Sequence, residues 1–247
     1  MRNLKLTLQY DGANYVGWQR QDSGMSIQML LEDALAPIEG KPVTVHGAGR
    51  TDAGVHALAQ VASVMVEASI DVTTLARALN AELPRDVRVL SIEDVEPGFH
   101  ARFSATGKVY EYRVVNAPIA SPFIQRYVWH VQPPLDLDAV REASNALVGV
   151  HDFAAFQGAG SVVASTERVV RALVWQDGGG YDLPLVMRIE GDGFLRHMVR
   201  NIAGTLVEIG IGRWPASRAA EILASRDRAQ AGTTAPAQGL FLVRVDY

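Results

Sequence analysis

Leu4-Lys5-Leu6-Thr7-Leu8-Gln9-Tyr10 places an apolar side chain at every second position. That is the period of a strand with one face in a core and the other toward water. A helix is expected next, because Ser26 stands where an N-cap is wanted and Ile27, Leu30, Leu31, Ala34, Leu35 and Ile38 recur at helical spacing until Gly40 and Pro42. Strand-like runs at 43–47 and 60–66, a helix over 73–83 stopped by Pro84, and a strand over 87–92 complete the order β-α-β-β-α-β. The order then repeats. Residues 109–115 read as a strand, 138–148 as a helix, and 169–175 and 181–190 as two strands joined through Gly178-Gly179-Gly180, a triplet that tolerates the positive φ of a hairpin turn. A helix over 194–209 and a last strand over 240–245 close the second round.

The expected fold is therefore α+β: two ferredoxin-like (split βαβ) halves, 1–104 and 105–247, forming a continuous mixed, mostly antiparallel sheet with helices on one face. A central cleft between such halves is where ligand sites concentrate. Pro118, Pro122, Pro133 and Pro134 mark 117–135 as an irregular connection, and the small, polar segment 157–166 is expected to be a loop.

The 247 residues suffice for one large domain or two small ones, and 48% apolar against 20% charged residues excludes a disordered or fibrous chain. With 23 basic and 27 acidic residues the net charge is −4, so a nucleic-acid partner must meet a local patch. Neither half is basic overall, residues 1–104 holding 9 basic and 13 acidic groups and 105–247 holding 14 of each. Twenty of the basic residues are arginines, whose fork suits phosphate better than a lysine does. Cysteine is absent, which excludes disulfides, thiolate zinc sites and cysteine nucleophiles and fits a reducing, cytoplasmic setting. No apolar run is long enough for a leader's core or a membrane span.

Three clusters could carry chemistry. In Gly47-Ala48-Gly49-Arg50-Thr51-Asp52-Ala53-Gly54-Val55-His56, glycines allow close approach of a ligand while Arg50, Thr51 and Asp52 present a cation, a hydroxyl and a carboxylate. The plain alternative is a hairpin loop with a turn-forming aspartate. A metal held by His46, Asp52 and His56 matches no usual ligand spacing. In the second cluster Lys108, Tyr110 and Tyr112 share one strand face, offering stacking and a cation, or simply packing. In the third, Arg196 and Arg200 lie one turn apart on the helix expected over 194–209, able to hold a carboxylate or phosphate if they face a cleft. The arc Asp11–Arg20 reads as a recognition loop or a plain one.

Together these segments resemble the tRNA pseudouridine synthase A family over most of the chain. The resemblance rests on Tyr10-Asp11-Gly12, Tyr15 and Gly17-Trp18-Gln19; on Gly49–His56; on Phe99-His100-Ala101-Arg102-Phe103-Ser104-Ala105; on Lys108, Tyr110 and Tyr112; on His151-Asp152-Phe153 and Phe156; on His197–Ile202 with Gly204; and on Gly239-Leu240-Phe241-Leu242. It implies isomerisation of uridine to pseudouridine at positions 38 to 40 in the anticodon arm of tRNA, by a homodimer, without cofactor or metal. By the motif match Asp52 is the catalytic aspartate, Tyr110 the active-site tyrosine, Arg200 the partner of the Asp52 carboxylate, and Arg50 the residue entering where the target base leaves the stack. Leu240 would line the pocket, and Lys108 and Arg196 would help hold RNA in the cleft. Such chemistry needs an ionised carboxylate beside the anomeric carbon and a flipped-out nucleotide. A carboxylate-dependent nucleoside or glycoside hydrolase would instead release free uracil, and a non-catalytic RNA-binding protein would have no use for Asp52.

Overall fold

In the computed structural model, which describes residues 1–160 and 163–247, the alternating N-terminal segment is strand β1 (Arg2–Tyr10). Leu4, Leu6 and Leu8 are fully buried while Lys5 and Thr7 on the other face stay half-buried, each leucine contributing about 1.5–3 kcal/mol. Helix α1 (Ile27–Glu39) starts where Ser26 Oγ accepts from Met29 N at 3.3 Å and stops at Gly40. Strands β2 (His46–Gly47) and β3 (His56–Val66), helix α2 (Val72–Glu82) and strand β4 (Val87–Val95) follow. The strands lie in the order β4-β1-β3-β2, every neighbour antiparallel, with Leu6 opposite Ala62 and Ile92. That is the split βαβ arrangement the order of elements implied. The strand expected over 43–47 shrinks to two residues, because the Val45 amide is taken by the Glu32 carboxylate at 3.1 Å.

The second run of elements is β5 (Gly107–Asn116), β6 (Trp129–Val131), α3 (Leu137–Asn145), β7 (Gly149–Asp152), β8 (Glu167–Gln176), β9 (Leu185–Gly191), α4 (Met198–Gly210) and α5 (Arg218–Ser225). Strands β5, β9, β8 and β7 lie side by side and antiparallel, so β5-β9-β8 repeats the β1-β3-β2 order of the first run. The proline-marked connection is not wholly irregular: β6 pairs parallel with the end of β5, Val114 opposite Trp129. Helix α4 begins four residues later than its apolar period suggested. Gly158 N binds the Arg196 carbonyl at 2.7 Å and His197 turns left-handed at φ 61°, which keeps 194–197 out of the helix. Of the loop expected over 157–166, residues 161 and 162 lie outside the described residues.

The last strand, β10 (Leu240–Asp246), runs parallel to β3, Phe241 opposite His56 and Leu242 opposite Ala57. By contacts the chain divides into Met1–Thr106 with Phe241–Tyr247, and Gly107–Leu240. The expected boundary at 104/105 had placed the whole of this strand with the second half. Among the described residues no helix is long and apolar enough to cross a membrane.

Candidate active site

In the first unit, the loop from Ala48 to Val55 joins β2 to β3. Val55 N donates to the Asp52 carbonyl at 3.1 Å, a turn that leaves Asp52 half-buried and Arg50 exposed. Thr51 between them is buried and held twice: its carbonyl accepts from Trp18 N at 3.0 Å, and its hydroxyl meets the Tyr10 hydroxyl at 2.9 Å. Gln60, fully buried on β3, donates to the Tyr10 hydroxyl (3.3 Å) and to the Gly49 carbonyl (2.9 Å). Burial pushes the Tyr10 phenol up to about 12, outweighing the lowering by its bonds to Thr51 and Gln60, so it stays neutral at physiological pH.

The arc Asp11–Arg20, which the sequence left as either a recognition loop or a plain one, braces this loop from behind. Gly54 N donates to the Tyr15 carbonyl at 3.3 Å, and the Tyr15 hydroxyl is anchored on Asp86 at 2.5 Å. At Gly17, φ is +105° and a Cβ would stand 2.4 Å from the Thr51 carbonyl, so only glycine lets the two backbones approach. His56 is buried, stacked on Phe241 at 4.7 Å with Nδ1 accepting from Gly12 N at 3.0 Å, whereas His46 is exposed beside His100. The two histidines thus serve different parts of the unit. Among the described residues no three metal-binding side chains converge.

In the second unit Tyr110 and Tyr112 share a face of β5, opposite Ile189 and Met187 of β9, and Lys108 stands half-buried at the start of the same row. Tyr110 meets Phe194 edge-on at 5.3 Å. Tyr112 is fully buried, donates to the Pro236 carbonyl at 2.8 Å, and has its pKa raised by burial, the Arg200 charge opposing. Arg200, half-buried in the first turn of α4, sends Nε to the neighbouring Ala235 carbonyl at 2.7 Å, while Ala235 N returns a bond to the Arg200 carbonyl. Tyr112 and Arg200 therefore grip successive carbonyls of one strap, 232–236. That strap lies so close to α4 that a Cβ on Gly204 would stand 1.8 Å from the Thr233 carbonyl. Buried Asn201 completes the hold: Oδ1 accepts from Thr234 Oγ1 (2.7 Å) and Arg228 Nη2 (3.0 Å), and Nδ2 donates to the Phe156 carbonyl (2.8 Å). Leu240, 6% exposed, follows after the 3-10 turn Ala237–Gly239. Arg196 is exposed on the segment before α4, one guanidinium nitrogen on the Ala159 carbonyl at 3.1 Å, so it is not the helical partner of Arg200 that the spacing suggested.

A family model described as "tRNA pseudouridine synthase" matches residues 7–104 and 143–247. Proteins named tRNA pseudouridine synthase A are similar to the chain along its whole length: 41% identical in Thermoanaerobacter sp. (strain X514), over 100% of both chains, and 47% identical in Myxococcus xanthus, over 92% of that protein. The counterpart from Solidesulfovibrio magneticus is 48% identical, again over 92% of its length. The chain belongs to this family. It is accordingly an enzyme of an isomerase type, on the α+β fold its sequence implied. Arg50, Asp52, Arg196, Arg200 and Leu240 lie in the stretches that the family model matches, and Lys108 and Tyr110 lie between them.

Several residues that shape these sites were not singled out from sequence. Gln60 gave one faint signal, a polar residue inside the apolar strand run Ala57–Val66. Thr234 and Arg228 gave none, since a strap between a helix and a strand has no periodicity. What the first unit offers chemically is a carboxylate on a braced turn. The second offers a phenol beside an aromatic edge and a guanidinium whose direction is set by a backbone carbonyl.

Proposed function

We propose that the protein isomerises uridine to pseudouridine at positions 38, 39 and 40 in the anticodon stem-loop of tRNA, with Asp52 as the catalytic carboxylate. The observation that carries this reading is the Gly49–His56 motif, present in a chain similar along its whole length to tRNA pseudouridine synthase A proteins, with Asp52 on a turn braced by Tyr10, Trp18 and Gln60. The target nucleotide is flipped from its stack, at a cost of a few kcal/mol that contacts to the arm offset, with Arg50 entering the vacated place.

The C1′–N1 bond then breaks and its electron pair leaves with the base as a uracil anion. The Asp52 carboxylate answers the positive character at C1′, either by bonding to it or by taking the C2′ proton toward a glycal. The base turns, C5 bonds to C1′, the carboxylate is regenerated, the C5 proton departs and N1 gains one, so the sum is an isomerisation with no redox step. Arg200 orients the carboxylate. Tyr110 holds the detached ring and assists the C5 proton transfer, Leu240 lines the pocket, and Lys108 and Arg196 contact phosphate. The enzyme works in the cytoplasm as a homodimer on one tRNA and takes no cofactor or metal.

The test is to map pseudouridine, position by position, in unmodified tRNA transcripts treated with the wild type and with Asp52→Asn. Conversion confined to positions 38–40 and lost in the variant is the expected result. Conversion elsewhere, or undiminished in Asp52→Asn, refutes the assignment.

A further inference from the structure

The segment after β4 is built more rigidly than a connection requires. Ala101 N donates to Ser63 Oγ at 3.1 Å, His100 N to Ser104 Oγ at 3.0 Å, and the Ala101 carbonyl accepts from the Tyr247 hydroxyl at 2.8 Å. His100 Nδ1 accepts from the Arg102 amide (3.1 Å) and faces the Phe103 amide (3.4 Å), which puts the proton of the neutral ring on Nε2. This fixed frame packs Phe99 against the core but leaves Phe103 77% exposed.

Phe103 is the end of a row of rings. His100 lies 4.4 Å from it and His46 lies 4.9 Å from His100, centroid to centroid, and the Arg102 guanidinium sits 5.5 Å from the centre of the Phe103 ring. Arg102 is exposed and, among the described residues, pairs with no carboxylate. Burial, then the neighbouring His46, lower the His100 pKa, so His100 is an uncharged ring at neutral pH. The row is attached to the candidate active site at its root. Ala101 shares one buried cluster with Ala48 and Val61, and the chain from His46 reaches Asp52 within six residues, at most roughly 20 Å.

We propose that Phe103, with His100 and Arg102, is a stacking platform for an unpaired base of the RNA that the Asp52 loop acts on, Arg102 meeting the adjoining phosphate. A rigid, exposed aromatic ring beside a guanidinium is what an unstacked base and its phosphate recognise, and a flipped target leaves its neighbours in need of such support. A protein partner is less well served, since the ring stands among cationic and polar groups rather than in an apolar groove. The inference rests on the proposed RNA substrate, yet its test separates the two.

Phe103→Ala, Phe103→Trp and Arg102→Gln are compared with wild type for Kd on an unmodified tRNA transcript and for kcat and KM of pseudouridine formation. Oligomeric mass and melting temperature are measured alongside. Phe103→Ala is expected to weaken RNA binding about 5- to 100-fold with kcat at saturating RNA, mass and melting temperature unchanged. Phe103→Trp is expected to restore binding, and Arg102→Gln to flatten the salt dependence of Kd. RNA affinity equal to wild type in Phe103→Ala, or a change in oligomeric mass, overturns the platform. If the wild type makes no pseudouridine but its RNA affinity still depends on Phe103, the platform stands and the proposed function falls.

Discussion

Tyr10→Phe removes one oxygen from a position 3% exposed and leaves the ring in place. The Thr51 hydroxyl, buried and 2.9 Å away, loses its partner, while Gln60 keeps its bond to the Gly49 carbonyl. One buried polar group left without a partner costs about 1–2 kcal/mol. For a chain of this length each kcal/mol moves the melting temperature by about 2–4 °C, so the variant is expected to melt roughly 2–8 °C lower. The larger effect is expected in catalysis, because Thr51 is the residue before Asp52, and a displacement on the order of 1 Å at a reacting group can cost a hundredfold. At 25 °C, well below the transition, kcat for pseudouridine formation is expected to fall about tenfold with KM within about twofold. Thr51→Val should do the same, and the double variant should cost no more than the worse single one, since both break one interaction. A lowered melting temperature with wild-type kcat would refute the idea that this bond positions Asp52, and additive losses would refute the idea that the two hydroxyls act on each other.

Thr234→Val keeps the shape of the strap but removes the hydroxyl bonded to Asn201 and Arg228. We expect kcat to drop several-fold with KM unchanged and Thr234→Ser to restore it, while an equal loss in Thr234→Ser would show that the hydroxyl does not steer Arg200. Alkaline pH should destabilise the fold through Tyr10. Its folded pKa, raised to about 12, exceeds the value of about 10 in the unfolded chain, so its contribution is complete below pH ~10 and is lost as pH rises toward ~12, at about 1.4 kcal/mol per unit. Tyr15, Tyr112 and Tyr247 are raised in the same direction. Denaturant titrations from pH 9 to 12 should therefore show a steep fall, shallower by one proton in Tyr10→Phe, and identical slopes would contradict the burial of this phenol.

Where structure follows from neighbours in sequence, it was legible. Ser26 and Gly40 bound α1 as their cap chemistry implies, and the alternation of Leu4, Leu6 and Leu8 identified β1 and its buried face. Where it follows from distant partners, it was not. Periodicity shows that 240–245 is a strand but cannot show that it runs beside His56 and Ala57. The stripe Phe194, Met198, Ile202, Leu206 continues one turn too far because periodicity carries no information about Gly158 claiming the Arg196 carbonyl. Helix α5 was missed because its eight residues bury only Ala219 and Ile222, too few for a periodic signal. The proposed site residues divide the same way: motifs single out Asp52, Tyr110 and Arg200 as candidates, whereas Gln60, Asn201 and Thr234 act through bonds to residues that sequence does not place beside them.

The central claim is that Asp52 drives cofactor-independent isomerisation. It is tested most directly by tritium release from C5-labelled uridine in an unmodified tRNA transcript, with wild type and Asp52→Asn compared in the absence of added metals and nucleotides. The account predicts release by the wild type alone, without free uracil, and a variant that still folds and binds the transcript. Release by Asp52→Asn at the wild-type rate, or free uracil in place of pseudouridine, would contradict it.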